Sequence, residues 1–390
     1  MTSSYYNVFT RLVSRKRTPL NVIFGRFRGI YKPLWIMPIL LAVLSILMML
    51  STSYDDGIVI SREVIVQSVA YGIGLVLVLF LVNIEYTRFQ EWIRPIYIGS
   101  IILLLSVYLP VIGVEHYGAR SWINLGFMDF QPSEIVKITF ILVMADYLDR
   151  HQRDLRHFTG LGKAMLYAAP FILIVVKDDL GSALVFIAIW IAMVFYAGLD
   201  YKIFFQCAMA TVVMIPFVYH FMADHQKERI DAFLHPSNLS LEGNYQVYQS
   251  KIAIGSGGVF GKGLFHGTQK GLEYLPVRNS DFIFSVICEE LGFVGGALVI
   301  GIYCWFIYSI ARTARDCGDN FGSLLVMGII GMLAFQIFEN IAMTMGIMPV
   351  TGITLPFLSY GGSSIVSAMI ALGFVMNVAI KNKDVSFNEH

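Results

Sequence analysis

The chain has 390 residues, of which 56% are hydrophobic and 14% charged, with a mean hydropathy of +0.67. Water-soluble globular domains carry roughly 25% charged residues, so that class is excluded. The formal net charge of +1 says little about partners, and no nucleic acid is expected among them.

Apolar stretches of about 20 residues recur along the whole length, the span that a hydrocarbon core of roughly 30 Å asks of a helix. Strands of a membrane barrel would alternate apolar and polar residues, and these runs do not. The expected fold class is therefore all-α: a polytopic membrane protein of about ten transmembrane helices with a long extracytoplasmic loop. The spans are placed at 34–52, 64–84, 95–113, 133–148, 163–177, 180–199, 201–222, 282–311, 321–345 and 356–380. Lys177, Asp178 and Asp179 fall between the fifth and sixth, where a short outer turn is favoured over a charged site inside one broken helix.

The first 33 residues hold seven basic side chains, Arg11 to Lys32, and no acid. By the positive-inside rule that end stays cytoplasmic. Counting ten spans from there puts the 149–163 loop inside, and it carries Arg150, Arg153, Arg156 and Lys163. The same count places both termini in the cytoplasm and 51–63, 114–132, 223–281 and 346–355 outside. No cleavable signal peptide is read, because the first apolar run begins near residue 34 and lacks a small-residue cleavage site. The chain divides into a basic segment 1–33, a transmembrane domain 34–381 and a tail 382–390. Membrane lipids are expected neighbours, and the basic segment, with its interleaved aromatics, either lies along the inner leaflet or is a solvated flank.

Cys207, Cys288, Cys304 and Cys317 all avoid the outer loops, so no structural disulfide is expected. No zinc-type spacing of His and Cys occurs, so no metal site is assigned.

Ionisable residues inside a bilayer are costly and point first to function. Glu134 and Lys137, in QPSEIVK, are spaced i to i+3 and can pair on one helix face; substrate handling and simple helix orientation are both open. Asp179, where the chain re-enters the membrane, reads equally as an N-cap and as a catalytic group. The 223–281 loop brings Arg229, Lys251, Lys262, Lys270 and Arg278 to the outer face, a surface suited to an anionic head group. Its glycines do not form a P-loop: Ser256 stands at the first glycine position and Gly263 follows Lys262. They are read instead as sites of tight turns and close backbone approach. Asp281 ends this loop just before FIFSVI, where partial desolvation would make it a better general base; a helix N-cap is the competing reading. Glu289 and Glu290 are read either as lining the same cavity or as structurally paired. In MPVTGITLPFLSYGGSS, two prolines and the pair Gly361 and Gly362 argue for a broken or re-entrant helix start. Ser363 and Ser364 there either bind a ligand or cap the helix.

Taken together, GARSWINLG with QPSEIVK (118–137), DLGSALVF (179–186), QSKIAIGSGGVFGKG followed by HGTQ, LPVRNSDFIFSVICEELG (275–292) and PVTGITLPFLSYGGSS (349–364) resemble the SEDS family, the RodA, FtsW and SpoVE group of peptidoglycan polymerases. The HGTQ stretch, with His266, is more like RodA than FtsW. The resemblance implies lipid II as substrate, a β-1,4 glycan strand as product formed with inversion, a class B penicillin-binding protein as partner and the bacterial inner membrane as location. It puts the family's proposed catalytic aspartate on Asp281 and its intramembrane Glu, Lys and Asp on Glu134, Lys137 and Asp179. Positive charge for the departing diphosphate would come from Arg229, Lys262, Lys137 or a divalent cation such as Mg or Mn. Three departures stand out: Val277 where members often carry Glu, Asn279 where they often carry His, and Ser121 where they often carry Arg directly before the motif tryptophan, with the basic Arg120 one residue earlier. A lipid-precursor flippase or a non-catalytic scaffold is the alternative class; a flippase would be expected to show paired halves with matching broken helices, which the sequence lacks.

Overall fold

The computed structural model describes residues 31–54, 60–109, 112–116, 119–124, 126, 129–241, 243–267 and 279–388. The basic segment up to residue 30, Lys270 and Arg278 lie outside them. The helices are α1 (Pro33–Thr52), α2 (Arg62–Asn83), α3 (Ile93–Leu105, preceded by a 3-10 stretch Tyr86–Trp92), α4 (Pro132–His151), α5 (Phe158–Val176), α6 (Leu180–Tyr196), α7 (Tyr201–Phe221), α8 (Asp224–Leu234), α9 (Asn244–Ser256), α10 (Ile283–Arg315), α11 (Asn320–Thr344) and α12 (Gly362–Asn388). Each of the ten expected spans finds a helix at its place.

Among the described residues seven of these helices are long and apolar enough to cross a membrane, and α6 and α7 are shorter apolar helices. Helix α4 is not among them because it carries Glu134, Lys137, Asp146 and Asp149. Its place in the bundle accounts for the charges: α4 packs against α3, α6, α11 and α12, and its apolar residues from Val136 to Leu148 are buried almost without exception. Protein surrounds these groups where lipid could not solvate them. Around this centre α12 lies along α2, and α10 packs against α1, α9 and α11.

The loops segregate to two ends. Tyr86 donates to Asp319, and Lys381 lies 3.7 Å from Glu85, which joins three segments that the parity count puts on one side. The segment 113–130, read as a plain loop, folds into a three-stranded antiparallel sheet, β1 (Gly113–His116), β2 (Ala119–Asn124) and β3 (Asp129–Phe130), in that order. The expected turn at 177–179 is present. Asp179 caps α6, its Oδ1 accepting from the Ser182 amide at 2.9 Å. All four cysteines are free.

Helix α10 is broken at Gly292, whose φ of 69° and ψ of −166° lie outside the helical region. The break releases backbone groups in the bundle, and the glycine loop after α9 takes them up. Lys262 N and Gly263 N donate to the carbonyls of Glu289 and Glu290 at 3.0 Å, and Phe293 N and Val294 N donate to Gly258 and Val259 at 2.9 and 3.1 Å. A Cβ on Gly292 would strike the Gly261 amide and the Val259 carbonyl. Close backbone approach, as read from the sequence, is what these glycines provide.

Gly292→Ala should therefore lose stability by about 1–3 kcal/mol, the range for a backbone forced into a glycine-only region. Gly301→Ala is the control, since a Cβ there meets open space. Thermal unfolding of the purified protein in detergent checks this, with a clearly lower midpoint expected for Gly292→Ala alone.

Candidate active site

Asp281 follows Ser280 in a turn ahead of α10, and three successive carbonyls of that turn are each taken by a donor from elsewhere in the chain. Tyr360 N donates to Asn279 O at 2.8 Å, the Ser359 hydroxyl donates to Ser280 O, and Asn340 Nδ2 donates to Asp281 O at 2.9 Å. The same Asn340 amide donates to Ile353 O at 2.8 Å. Asn340 thus ties the Asp281 turn to the non-helical segment between α11 and α12. Its neighbour Glu339 accepts from Thr351 Oγ1 at 2.9 Å, and the Thr351 carbonyl accepts from Arg229 Nη1 at 3.2 Å. The sequence reading missed Glu339 and Asn340. A polar pair inside an otherwise apolar span was the available signal.

Asp281 is half-buried on the wall of a cavity of about 400 Å³, within the roughly 300–1,000 Å³ of small-molecule sites. The cavity also takes in Glu134, Lys137, Asp179, Arg229 and Ser363, so the bundle gathers these six expected residues at one site. Lys137 Nζ is 2.7 Å from Glu134 Oε1, and both side chains are almost fully enclosed, which confirms the pairing read from their spacing. Asp179 has a second role beside capping: its Oδ2 accepts from Gln131 Nε2 at 2.8 Å. Ser363 does not cap its own helix. Its hydroxyl accepts the Gln131 amide at 3.1 Å and so holds the start of α12 against the start of α4.

Three expected residues lie elsewhere. Lys262 pairs with Glu289 at 2.7 Å, on the glycine loop and away from this cavity. Glu290 bonds Ser51 and the Phe265 amide, so for both glutamates the structural alternative holds. His266 is exposed, with Nδ1 2.8 Å from its own loop's Leu264 O. Arg120 is exposed and borders a small adjoining niche with Ser121, Asp178 and Asp179. Among the described residues no group of three or more His, Cys, Asp or Glu is arranged to hold a metal ion.

Burial pushes the Asp281 carboxyl up to about 6, with Asp179 adding to the effect. The Ser280 hydroxyl and the Arg229 guanidinium pull in the opposite direction. A carboxylate so placed is ionised at neutral pH yet basic enough to take a proton. The Arg229 guanidinium and the N-terminus of α12 add positive character on the cavity wall.

The model of the FtsW/RodA/SpoVE family, described as cell cycle protein, matches residues 31–384. The chain belongs to this family. Stage V sporulation protein E of Bacillus subtilis is 34% identical over 354 residues, covering 88% of this chain and 95% of that protein. Peptidoglycan glycosyltransferase MrdB of Escherichia coli K12 is 36% identical over 318 residues, 81% and 85% of the two chains. Among solved structures, one reported as the structural coordination of polymerization and crosslinking by a peptidoglycan synthase complex superposes with a TM-score of 0.79. It is 29% identical and covers 91% of this chain and 98% of that one. The rod shape determining protein RodA of Thermus thermophilus superposes with a TM-score of 0.66 at 28% identity, covering 90% of this chain and 97% of that one. Family membership fits the clustering above, because the residues gathered at the cavity other than Arg229 come from four separate family motifs.

The Glu134–Lys137 pair yields a test. Neutralising one partner leaves the other buried and alone, at a cost of several kcal/mol. Glu134→Gln and Lys137→Met should each lower folded yield or activity more than the double variant does. A double-mutant cycle on thermal stability measures this, and a coupling near zero would mean that the two act separately.

Proposed function

We propose that this chain is a peptidoglycan glycosyltransferase that polymerises lipid II into β-1,4 glycan with Asp281 as general base. The observation that carries this is the half-buried carboxyl of Asp281, fixed through its backbone and facing a cavity that also presents Arg229. Relatives named peptidoglycan glycosyltransferase, at 35% and 36% identity, support it. In this reading the acceptor sugar's 4-hydroxyl attacks the donor's anomeric carbon. Its proton passes to the Asp281 carboxylate as the new C–O bond forms. The bond from the anomeric carbon to the diphosphate oxygen breaks on the opposite face, and the diphosphate leaves with the electron pair, so configuration inverts. Arg229 and the α12 N-terminus stabilise the charge developing on that leaving group. The lipid tail lies among the spans, and the sugars lie at the end that bears α8 and α9.

The same reading puts the chain in a bacterial inner membrane with both termini cytoplasmic, working beside a class B penicillin-binding protein. For the cellular role we read wall elongation, on the HGTQ stretch beginning at His266.

Asp281→Asn should keep the fold, because the clamps hold backbone carbonyls, and lose polymerisation of labelled lipid II by at least about 100-fold. Near-normal glycan synthesis by a well-folded Asp281→Asn protein would sink the assignment. With a base titrating near 6, the deprotonated form fails as pH falls through that value. The wild-type rate should accordingly fall about tenfold between pH 7 and pH 5 once the proton-bound form dominates. A flat profile over that range would argue against Asp281 as base.

Topology has its own test. In a cysteine-free background, cysteines introduced between 244 and 262 should react with a membrane-impermeant thiol reagent applied outside, and cysteines at 152–160 should be protected. Protection at both would overturn the orientation.

A further inference from the structure

Helices α3 and α5 run side by side in the same direction. The rings of Tyr97 and Tyr167 lie 5.0 Å apart, and further along the Tyr108 hydroxyl donates to Ile174 O at 3.1 Å and to the Asp178 carboxylate. Asp178 borders the Asp281 cavity, so both helices begin at the opposite end of the bundle. Each residue of a helix advances it by about 100°. Around α3, Arg94 and Ile98 therefore stand about 60° and 100° to one side of Tyr97, and around α5, Lys163 and Leu166 stand about 40° and 100° to the opposite side of Tyr167. For parallel helices that touch through those tyrosines, the two sets face one groove. All four residues are exposed, and the exposed Ile102 and Leu173 continue the two stripes. Arg94 precedes Tyr97 by about 4.5 Å of helix and Lys163 precedes Tyr167 by about 6 Å, which puts both cations at one level at the foot of the groove. Trp92 and Phe158 are exposed near the same two helix starts, as aromatic side chains are at a membrane–water boundary.

We infer that the groove between α3 and α5 binds an anionic phospholipid of the inner leaflet, its phosphodiester held by Arg94 and Lys163 and its acyl chains lying along Ile98, Ile102, Leu166 and Leu173. Charge complementarity carries the choice of head group. Among the described residues neither Arg94 nor Lys163 makes an ion pair. The carboxylate that the adjoining α4 brings toward this end, Asp146, is taken by Arg150 at 2.7 Å. The exposed Glu91 and Asp154 lie in the 3-10 stretches before the two helices and pair with neither cation. Helix α5 also begins without a side-chain cap, so its first amides add positive character at the foot of the groove. A zwitterionic lipid brings its own ammonium and gains less from two unpaired cations. A free phosphate would leave the apolar stripes without a use, whereas a lipid engages cations and stripes together. A basic flank that served only to orient the chain would not need its cations matched in height and side on neighbouring helices. Only the choice of leaflet depends on the orientation proposed above; binding depends neither on it nor on the glycosyltransferase reading.

Native mass spectrometry of the full-length protein in detergent, titrated with phosphatidylglycerol or with phosphatidylcholine of the same acyl chains, tests this. The wild-type protein should retain phosphatidylglycerol in clear preference to phosphatidylcholine. A cation beside an anionic head group contributes roughly fivefold in affinity, so Arg94→Gln with Lys163→Gln should weaken phosphatidylglycerol binding by about thirtyfold and leave phosphatidylcholine unchanged. Both side chains are exposed, and the lipid-free double variant should unfold at the wild-type temperature. Arg312→Gln with Arg315→Gln removes the same charge at the end of α10, which packs against α1, α9 and α11, and should keep the wild-type affinity. Lys163→Arg should keep it as well. Equal losses in the two double variants would show a general effect of charge and overturn the site. Two results with the wild-type protein alone would do the same, whatever the variants' folding: no preference for phosphatidylglycerol, or displacement of the bound lipid by millimolar inorganic phosphate, which would mark a site for a soluble anion.

Discussion

Three consecutive carbonyls at 279–281, in a turn between a loop and a buried helix, have no helical partners of their own. A buried carbonyl without a donor costs on the order of 1–3 kcal/mol. The chain meets that requirement with Tyr360, Ser359 and Asn340, all from the region that runs from late α11 to the start of α12. The geometry of the site follows from this need. Once the amide of Asn340 is shared between Asp281 and Ile353, the non-helical segment around Thr351 and Ile353 is held beside the Asp281 turn. Thr351 is then placed to bond Glu339 and to offer its carbonyl to Arg229. The carboxyl of Asp281 takes no part in these clamps and is left for chemistry.

Charge is handled in the same economical way. Lys137 and Glu134 neutralise each other across 2.7 Å within α4. Asp179 divides its two oxygens between the start of α6 and Gln131. Gln131 in turn gives its backbone amide to Ser363 of α12. Three helix starts, those of α4, α6 and α12, are thereby pinned at one point, and their N-terminal ends bring positive character to the cavity. Asp281 sits among these paired groups, its carboxyl raised by burial to about 6 and opposed in that by Arg229, so that it remains ionised at neutral pH.

The break at Gly292 explains why Lys262 is not at the cavity. Opening α10 there frees backbone groups that the glycine loop pairs with, and this docking carries Lys262 onto Glu289. The two glutamates stabilise the docked loop, Glu290 through Ser51 and the Phe265 amide. A charged residue of the long loop can thus serve the architecture of that loop.

The sequence by itself determined the class, the places of the ten helices and the Glu134–Lys137 pair, because each is a matter of local spacing: apolar run length in the first two cases and one helix turn in the third. It also determined that the glycines mark close backbone approach, since residues without a Cβ have few other uses in such density. Asp281 was singled out by its position at a loop-to-membrane boundary, and family resemblance raised it above an N-cap. Tertiary structure alone decided which cations accompany it. Lys262 and Arg229 share one long loop and look equivalent in the sequence, yet one is 27 residues from its partner Glu289 along the chain and the other lies at the wall of the cavity. Tertiary structure also decided the roles of Glu339 and Asn340. Their partners Thr351, Ile353 and Asp281 are brought to them by the packing of α10 and the 349–361 segment around α11, and such contacts leave no periodic trace in the chain.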